Sequence, residues 1–369
     1  MLTAIAAANI FTGTTWLSHH AVICQDNNIA GIAPLSELSS DIKVMMLKDR
    51  VLAPAFIDAQ VYGAGGRLFS LSPSADTLQL MYAAFAAQGT CLFQPTLATN
   101  TIQVFKSGID AVRDYRAKGG KGVHGLHLEG PWLNPVKSGA HVKEWMHAPS
   151  VEEVEDLLEY GEGVITMITL APEICSREVI ELIVSKGIIV AAGHSNATYA
   201  EALQGFNAGI TAVTHLYNAM SPLHHREPGL VGAAGQHPTV MCSIIPDGYH
   251  VDYAAISIAK KMAGPRLFAI TDAVTETTEG PYRHMLTGDK YECNGTLSGS
   301  AISMHQAFIN LVQHAGIDKD EALRMCSLYP AKALNTDHCY GMIANGYKAL
   351  FVSLNNDFSD PVLVTAPAE

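Results

Sequence analysis

Four side chains with catalytic chemistry each follow a short apolar run. Such runs lead directly into Glu129, His194, His215 and Asp272, and a Gly-Pro pair follows Glu129 at once. These runs predict buried β-strands, so each polar residue is expected to project from the carboxyl end of a sheet. One glutamate and two histidines from three strand ends form the ligand set of a catalytic divalent cation. Asp272 brings a second carboxylate to the same kind of position.

Each of these residues also has a simpler explanation. A glutamate after a strand can cap a loop, and a single histidine after an apolar run is more often structural than a metal ligand. Asp272 could likewise cap the backbone after Thr271. The metal hypothesis therefore requires that the fold bring all four side chains to one place.

The elements between these residues alternate strand and helix signals from Val51 onward. Strands are predicted at 52–60, 91–96, 125–129, 164–170, 188–194, 210–215, 240–245 and 266–272. Ser150 with Glu153 and Thr198 with Glu201 are capping boxes that begin two of the helices. Eight strands over about 280 residues predict a (β/α)8 TIM-like barrel, whose strands all present their carboxyl ends at one mouth. An open doubly wound sheet gives no reason for ligands at so many strand ends.

Both ends of the chain are rich in short β-prone segments. Residues 1–51 contain three such segments, and strand signals return near the C-terminus at 347–354 and 362–364. A β layer of that size is too small to be stable alone. The prediction is a small β-sandwich domain from residues 1–51 and 336–369, beside a catalytic barrel over 52–335.

Composition excludes several classes of partner. A formal net charge of −12 argues against nucleic acid and anionic membranes, although a few Arg and His can make a small pocket locally positive. Apolar runs stay below the roughly 18 residues of a membrane span. The N-terminus has no positive region before its apolar residues, and the seven cysteines form no Cys-x-x-Cys pair. A cytoplasmic protein with reduced thiols is expected.

Several blocks in a fixed order resemble the N-acetylglucosamine-6-phosphate deacetylase family of the amidohydrolase superfamily. The resemblance extends from about Val51 to Pro330. The blocks are Phe56-Ile57-Asp58, His127-Leu128-Glu129-Gly130-Pro131, Gly193-His194-Ser195-Asn196-Ala197, Thr214-His215-Leu216-Tyr217-Asn218-Ala219-Met220, Arg226-Glu227-Pro228-Gly229-Leu230, Asp247-Gly248-Tyr249-His250-Val251-Asp252, Thr271-Asp272-Ala273 and Gly295-Thr296-Leu297-Ser298-Gly299-Ser300-Ala301. The second and fourth blocks are the most specific.

This resemblance implies a role for each candidate residue. It places the metal on Glu129, His194 and His215 and the catalytic acid and base on Asp272. The residues implied to contact the substrate are His141, Asn218, Ala219, Arg226 and His250. It also implies a homodimer or homotetramer, in which Arg226 reaches the phosphate of a neighbouring subunit's substrate. As a lone residue, Arg226 could equally be a solvated surface charge.

One position departs from the pattern of the superfamily. Many amidohydrolases have His-x-His at the end of the first strand, where it binds a second metal, whereas this chain has Gln60-Val61-Tyr62. Gln60 lacks the basicity of an imidazole, so one divalent cation per subunit is expected. Zinc is favoured, with Fe²⁺, Co²⁺ and Mn²⁺ as alternatives. Tyr62 either fills the vacated volume or contacts the sugar.

The activity implied by the resemblance is hydrolysis of N-acetyl-D-glucosamine 6-phosphate to acetate and D-glucosamine 6-phosphate. N-acetylgalactosamine 6-phosphate is the nearest alternative substrate, because it differs at one hydroxyl. His141 and His250 are candidates for stabilising an oxyanion or orienting sugar hydroxyls. A cyclic-amide hydrolase is disfavoured because the first-strand histidine pair is absent. A sugar-phosphate-binding protein without turnover is the non-enzymatic alternative, and such a protein has no need of Asp272.

Overall fold

A computed structural model describes residues 2–366, and its central sheet is the predicted eight-stranded barrel. The strands lie side by side in chain order, and pairing is parallel from the second to the eighth. They are Phe56–Val61, Thr90–Ala98, Leu126–Glu129, Ile165–Leu170, Ile189–Ala192, Ala212–Val213, Met241–Ile244 and Leu267–Ala269. The barrel prediction is confirmed.

Hydrogen bonds at the mouth close the barrel between its first and last strands. The Asp272 N–H donates to the Gln60 carbonyl at 3.1 Å, and the Tyr62 N–H donates to the Ala273 carbonyl at 2.8 Å. Val61 and Ala273 form a parallel bridge between these two bonds. The residues after the eighth strand are thereby fixed beside the end of the first.

The helices of the described residues include the two that the capping boxes predict. They are Ala75–Ala86, Ile102–Ala117, Val151–Tyr160, Arg177–Ser185, Tyr199–Asn207, Gly229–Gln236, Tyr253–Ala263, Met304–Gln313, Lys319–Met325 and Leu328–Ala333. The capping box of Thr198 and Glu201 forms in both directions. At Ser150 the side chain accepts from the Glu153 N–H. Each cap gives an otherwise unpaired N–H of the first turn a partner.

Both ends of the chain contribute strands to one further sheet, as predicted. Its strands are Leu2–Phe11, Trp16–Ser18, His20–Gln25, Asn28–Pro34, Lys43–Pro54, Leu350–Asn355 and Val362–Thr365. Fully buried Ile5, Ile10, Val22, Leu52 and Phe351 pack together on one face. The outermost residues assigned above to this domain, 1 and 367–369, lie outside the described range.

Three features differ from the sequence-based expectations. The strand predicted from Leu52 is two strands, because Lys43–Pro54 pairs within the terminal sheet and the barrel begins at Phe56. A three-stranded antiparallel sheet spans His284 to Ser300, where no strands were predicted. Helices Gly229–Gln236 and Tyr253–Ala263 were also not predicted. Glycine and proline residues interrupt the apolar periodicity that would have indicated the helix Gly229–Gln236.

The chain divides into two compact units. One contains the N-terminal segment to Asp58, Ala83–Leu92 and the segment from Ser303 onward, and the other contains Ala59–Tyr82 and Phe93–Ile302. The domain boundaries predicted after residues 51 and 335 stay a prediction. No helix within residues 2–366 is long and apolar enough to cross a membrane.

Replacing Gly130 by alanine is expected to destabilise the barrel unit. Gly130 follows Glu129 with φ of +91°, and a Cβ there would overlap the Thr99 hydroxyl. The backbone conformation costs about 1 kcal/mol for alanine, and the overlap adds about 1–3 kcal/mol. Denaturant unfolding measures the loss. Gly163→Ala is the matched control, because Gly163 has φ of +70° with nothing within 4 Å of a Cβ. Equal losses for the two variants would contradict the packing argument.

Candidate metal centre and active site

Three predicted ligand atoms meet at the mouth of the barrel. Glu129 Oε1 lies 3.2 Å from His194 Nε2 and 2.9 Å from His215 Nε2, and the two imidazole nitrogens are 3.2 Å apart. Ligands about 2.0–2.1 Å from a tetrahedral cation are separated by roughly 3.3 Å. The triangle therefore fits a small divalent cation with the fourth position open. All three side chains are buried.

Hydrogen bonding fixes how His194 presents its lone pair. Its Nδ1 lies 2.9 Å from the Lys137 carbonyl, which can only accept. Nδ1 therefore carries a proton, and Nε2 is the nitrogen that faces Glu129 and His215 and is available to a cation. This arrangement is typical of a metal-binding histidine. His215 Nδ1 is buried and has no hydrogen-bond partner in the described part of the chain.

His141 approaches the other oxygen of the same carboxylate. Its Nε2 lies 3.1 Å from Glu129 Oε2, so Glu129, His141 and His194 form a second possible ligand group within 4.8 Å. However, His141 Nδ1 lies 3.3 Å from the Thr99 N–H, which can only donate to it, and 2.9 Å from the Thr99 hydroxyl, which can donate as well, so the proton of the neutral ring is assigned to Nε2. A protonated nitrogen donates and cannot bind a cation. The group with His215 is therefore the better metal site, and His141 is a hydrogen-bond donor to Glu129.

Gln60 and Tyr62 occupy the position of the missing His-x-His pair. Gln60 Nε2 donates to the Tyr62 hydroxyl at 2.7 Å, and this hydroxyl donates to Glu129 Oε2. Burial raises the pKa of Tyr62 well above its usual value, and the charges of Glu129 and Asp272 raise it further. The phenol is therefore protonated and acts as a donor.

Glu129 and the imidazoles around it shift one another's pKa. Burial alone would raise the pKa of Glu129, but His141 and His194 hold this pKa well below its usual value. Burial, reinforced by His194, lowers the pKa of His141 to about 4. For His215, burial opposes protonation, but the hydrogen bond and charge of Glu129 raise its pKa. A buried anion surrounded by imidazoles is a suitable position for a cation.

Asp272 lies on the same cavity with one oxygen unused. Its Oδ1 is buried without a hydrogen-bond partner among residues 2–366, although buried carboxylate oxygens are normally satisfied. Burial raises the pKa of Asp272 to about 6, with His215 opposing and Glu129 reinforcing the increase. An unpaired carboxylate oxygen of a residue that lines the cavity can accept a proton from a bound molecule.

The backbone turns sharply where these residues leave their strands. His194, His215 and Asp272 have φ of +46°, +35° and +56°, which are left-handed conformations that residues with a Cβ rarely adopt. Such conformations persist only where surrounding contacts impose them, and they concentrate at functional sites. Here they direct three side chains from strand ends toward one point.

A cavity of about 360 Å³ opens beside the cluster. His141, Asn218, Ala219 and His250 line it together with Glu129, His194, His215 and Asp272. His250 is held by Asp247, whose Oδ2 lies 2.6 Å from its Nδ1. Arg226 lies on an exposed loop and is not among the described residues that line the cavity.

Sequence reasoning did not identify several residues of the wall. Asp247, the partner of His250, lies in one of the blocks that carry the family resemblance, but the sequence predicted no role for it. Tyr282 and His284 are buried and line the cavity next to His141, with the Tyr282 ring 6.2 Å from that imidazole. Tyr282 and His284 lie where the chain leaves the periodic pattern. The spacing of three residues between Asp247 and His250 was the one feature of the sequence that could have indicated this pair.

Comparisons with known proteins agree with this geometry. Residues 51–366 match the Amidohydrolase family and residues 3–52 match the NagA composite domain. The chain is 36% identical over 348 residues to N-acetylglucosamine-6-phosphate deacetylase of Haemophilus influenzae, covering 91% of each protein. It is 30% identical over 363 residues to N-acetylgalactosamine-6-phosphate deacetylase of Escherichia coli O157:H7, covering 95% of each.

A solved structure is similar over nearly the whole chain. The crystal structure of N-acetylglucosamine-6-phosphate deacetylase from Pasteurella multocida aligns with a TM-score of 0.94 and 36% identity, covering 99% of this chain and 98% of its own. The family resemblance stated above is thus confirmed. The chain belongs to the amidohydrolase family and, within it, to the N-acetylglucosamine-6-phosphate deacetylases.

Proposed function

We propose that this protein hydrolyses the acetamide of N-acetyl-D-glucosamine 6-phosphate, releasing acetate and D-glucosamine 6-phosphate. The observation that carries the proposal is the meeting of Glu129, His194 and His215 beside Asp272 on one cavity. An amide is broken when water adds to its carbonyl and the nitrogen leaves with a proton. The site must therefore bind a cation, accept a proton and return it.

The proposed cofactor is one divalent cation per subunit, held by Glu129, His194 and His215. Zinc is favoured over Fe²⁺, Co²⁺ and Mn²⁺ because a set of two imidazoles and one carboxylate suits it well. When bound, the cation supplies Lewis acidity, which polarises the amide carbonyl and makes water reactive at neutral pH. Gln60 and Tyr62 supply hydrogen-bond donors to Glu129 in place of further metal ligands.

Asp272 is the proposed general base and acid. It accepts a proton from the attacking water and then donates it to the nitrogen as the C–N bond breaks. Its pKa of about 6 leaves most of this carboxylate ionised at neutral pH, and a nearby cation would favour the ionised form further. His250, oriented by Asp247, is proposed to hydrogen-bond the substrate through its remaining nitrogen.

The other proposed substrate contacts are His141, Asn218, Ala219 and Arg226. The first three line the cavity, whereas Arg226 is exposed. Arg226 is therefore proposed to bind the phosphate in a neighbouring subunit of a homodimer or homotetramer, where its planar guanidinium can bind two phosphate oxygens. All seven cysteines are free, which fits the proposed cytoplasmic location.

N-acetylgalactosamine 6-phosphate is the second candidate substrate, because a deacetylase of that name is 30% identical to this chain. Purified protein with measured metal content is expected to release acetate faster from N-acetylglucosamine 6-phosphate than from this epimer. Both phosphorylated sugars should react faster than their unphosphorylated forms, because phosphate contacts contribute binding energy in the transition state.

Metal removal by a chelator should abolish acetate release, and added zinc should restore it. Substrate binding without acetate release would instead support a sugar-phosphate sensor.

Asp272→Asn is expected to lower kcat by about 100-fold to 10,000-fold, because the amide side chain cannot accept the proton from water. Steady-state acetate release and metal content are measured together, so that loss of the cation is separated from loss of the base. Asp252→Asn is the matched control. Asp252 is exposed and caps the helix Tyr253–Ala263, a role that asparagine performs equally well. Full activity of Asp272→Asn would contradict the mechanism.

Arg226→Ala is expected to lower kcat/KM for the phosphorylated sugar by about 10-fold to 100-fold, since a charge-assisted contact to phosphate is lost. The unphosphorylated sugar should react with both proteins at the same rate. Arg177→Ala removes another exposed arginine, which pairs with Glu181 on a surface helix, and controls for net charge. An equal loss with both sugars would remove Arg226 from phosphate binding.

A further inference from the structure

Tyr62 lines the cavity, yet the proposed hydrolysis gives it no substrate contact. Its hydroxyl has two neighbours, Gln60 and Glu129. The Gln60 amide nitrogen donates to the hydroxyl oxygen, so the single phenolic proton is available for Glu129 Oε2. The direction of both bonds follows from the chemistry of the groups.

The body of Tyr62 is held in place at several points. Its ring packs against the buried cluster of Leu68, Ala98 and Tyr282. Its N–H donates to the Ala273 carbonyl, and its carbonyl accepts the Phe69 N–H, each at 2.8 Å. Side-chain and backbone contacts together leave the hydroxyl little freedom to move with Glu129.

The two oxygens of Glu129 consequently have different surroundings. Oε1 lies within 3.2 Å of both His194 Nε2 and His215 Nε2, and Gln60 Nε2 donates to it in a longer bond of 3.4 Å. Oε2 accepts from the Tyr62 hydroxyl and from His141 Nε2. With Oε2 saturated by two donors, the carboxylate can present only Oε1 to a cation.

We propose that Tyr62 is a positioning residue for the metal site, which orients Glu129 by holding Oε2 and leaves Oε1 as the single oxygen ligand. The sequence led to two expectations for Tyr62, namely that it fills the vacated volume or that it contacts the sugar. Neither expectation includes the hydrogen bond to Glu129. The inference rests on the proposed metal role of Glu129. Hydrogen bonds to a ligand pre-organise it, and removing one typically weakens metal binding by about 10-fold to 100-fold.

The test is Tyr62→Phe, which removes the hydroxyl and keeps the ring. Metal-free protein is titrated with Zn²⁺ in competition with a chromophoric chelator, and the thermal midpoint of the metal-free protein is measured alongside. The zinc dissociation constant is expected to rise by about 10-fold to 100-fold. The metal-free thermal midpoint should change no more than in the control below.

Tyr282→Phe is the matched control. Tyr282 belongs to the same apolar cluster and lines the same cavity, but its hydroxyl donates to the Thr99 carbonyl at 2.5 Å. Removal of this hydroxyl should leave the zinc affinity unchanged. Gln60→Met is a second test, because it removes the amide that orients the phenol, together with its longer bond to Glu129 Oε1, while retaining the phenol itself. A smaller rise in the zinc dissociation constant is expected for that variant.

Wild-type zinc affinity in Tyr62→Phe would overturn the inference, and a higher KM with unchanged zinc affinity would make Tyr62 a substrate contact instead. An equal loss of affinity in Tyr282→Phe would also overturn it, because any buried hydroxyl would then have the same effect. If Tyr62→Phe does not fold, an unchanged affinity in Gln60→Met overturns the inference. Failure of the wild-type protein to bind zinc would refute the metal proposal itself, which distinguishes the two failures.

Discussion

The burial of the Glu129 carboxylate is the constraint that organises the mouth of the barrel. An ionised carboxylate without solvent costs several kcal/mol unless donors and positive charge compensate it. Here Tyr62 and His141 donate to one oxygen, and the imidazoles of His194 and His215 face the other. The same arrangement leaves a place for a cation at Oε1. Stability and proposed chemistry thus depend on the same neighbours of one side chain.

The fold positions the residues of this site at a cost in backbone strain. Residues in left-handed conformations cost about 1–3 kcal/mol each at such positions, and His194, His215 and Asp272 all adopt them. Hydrogen bonds donated by main-chain N–H groups maintain two of these turns: His215 N–H donates to the Ser243 hydroxyl, and Asp272 N–H donates to the Gln60 carbonyl. Because neighbouring barrel strands supply the acceptors, the closed sheet itself holds the strained strand ends. This explains why parallel strands, rather than loops alone, carry the ligands.

The sequence was sufficient for the barrel and for the convergence of Glu129, His194, His215 and Asp272, because apolar runs mark strands and their ends share one mouth. It could not assign Tyr62, since a bond to Glu129 joins residues 67 positions apart. The proton location on His141 was equally inaccessible, because it depends on the Thr99 N–H across the mouth. The sheet from His284 to Ser300 lacks a strong apolar alternation, so its cavity-facing residues gave no signal. Long-range polar contacts, rather than periodicity, determined what was missed.

The charge of the cavity constrains how a phosphorylated sugar can bind. Two carboxylates, Glu129 and Asp272, line it, and Lys137 is the one lysine or arginine among the described lining residues. The histidines add little positive charge at neutral pH where burial lowers their pKa, as it does for His141. With a chain net charge of −12, a phosphate approaching this cavity meets no surplus of positive charge. A cation at Glu129 would add positive charge to this cavity, and the proposed contact of Arg226 from a second subunit would add more.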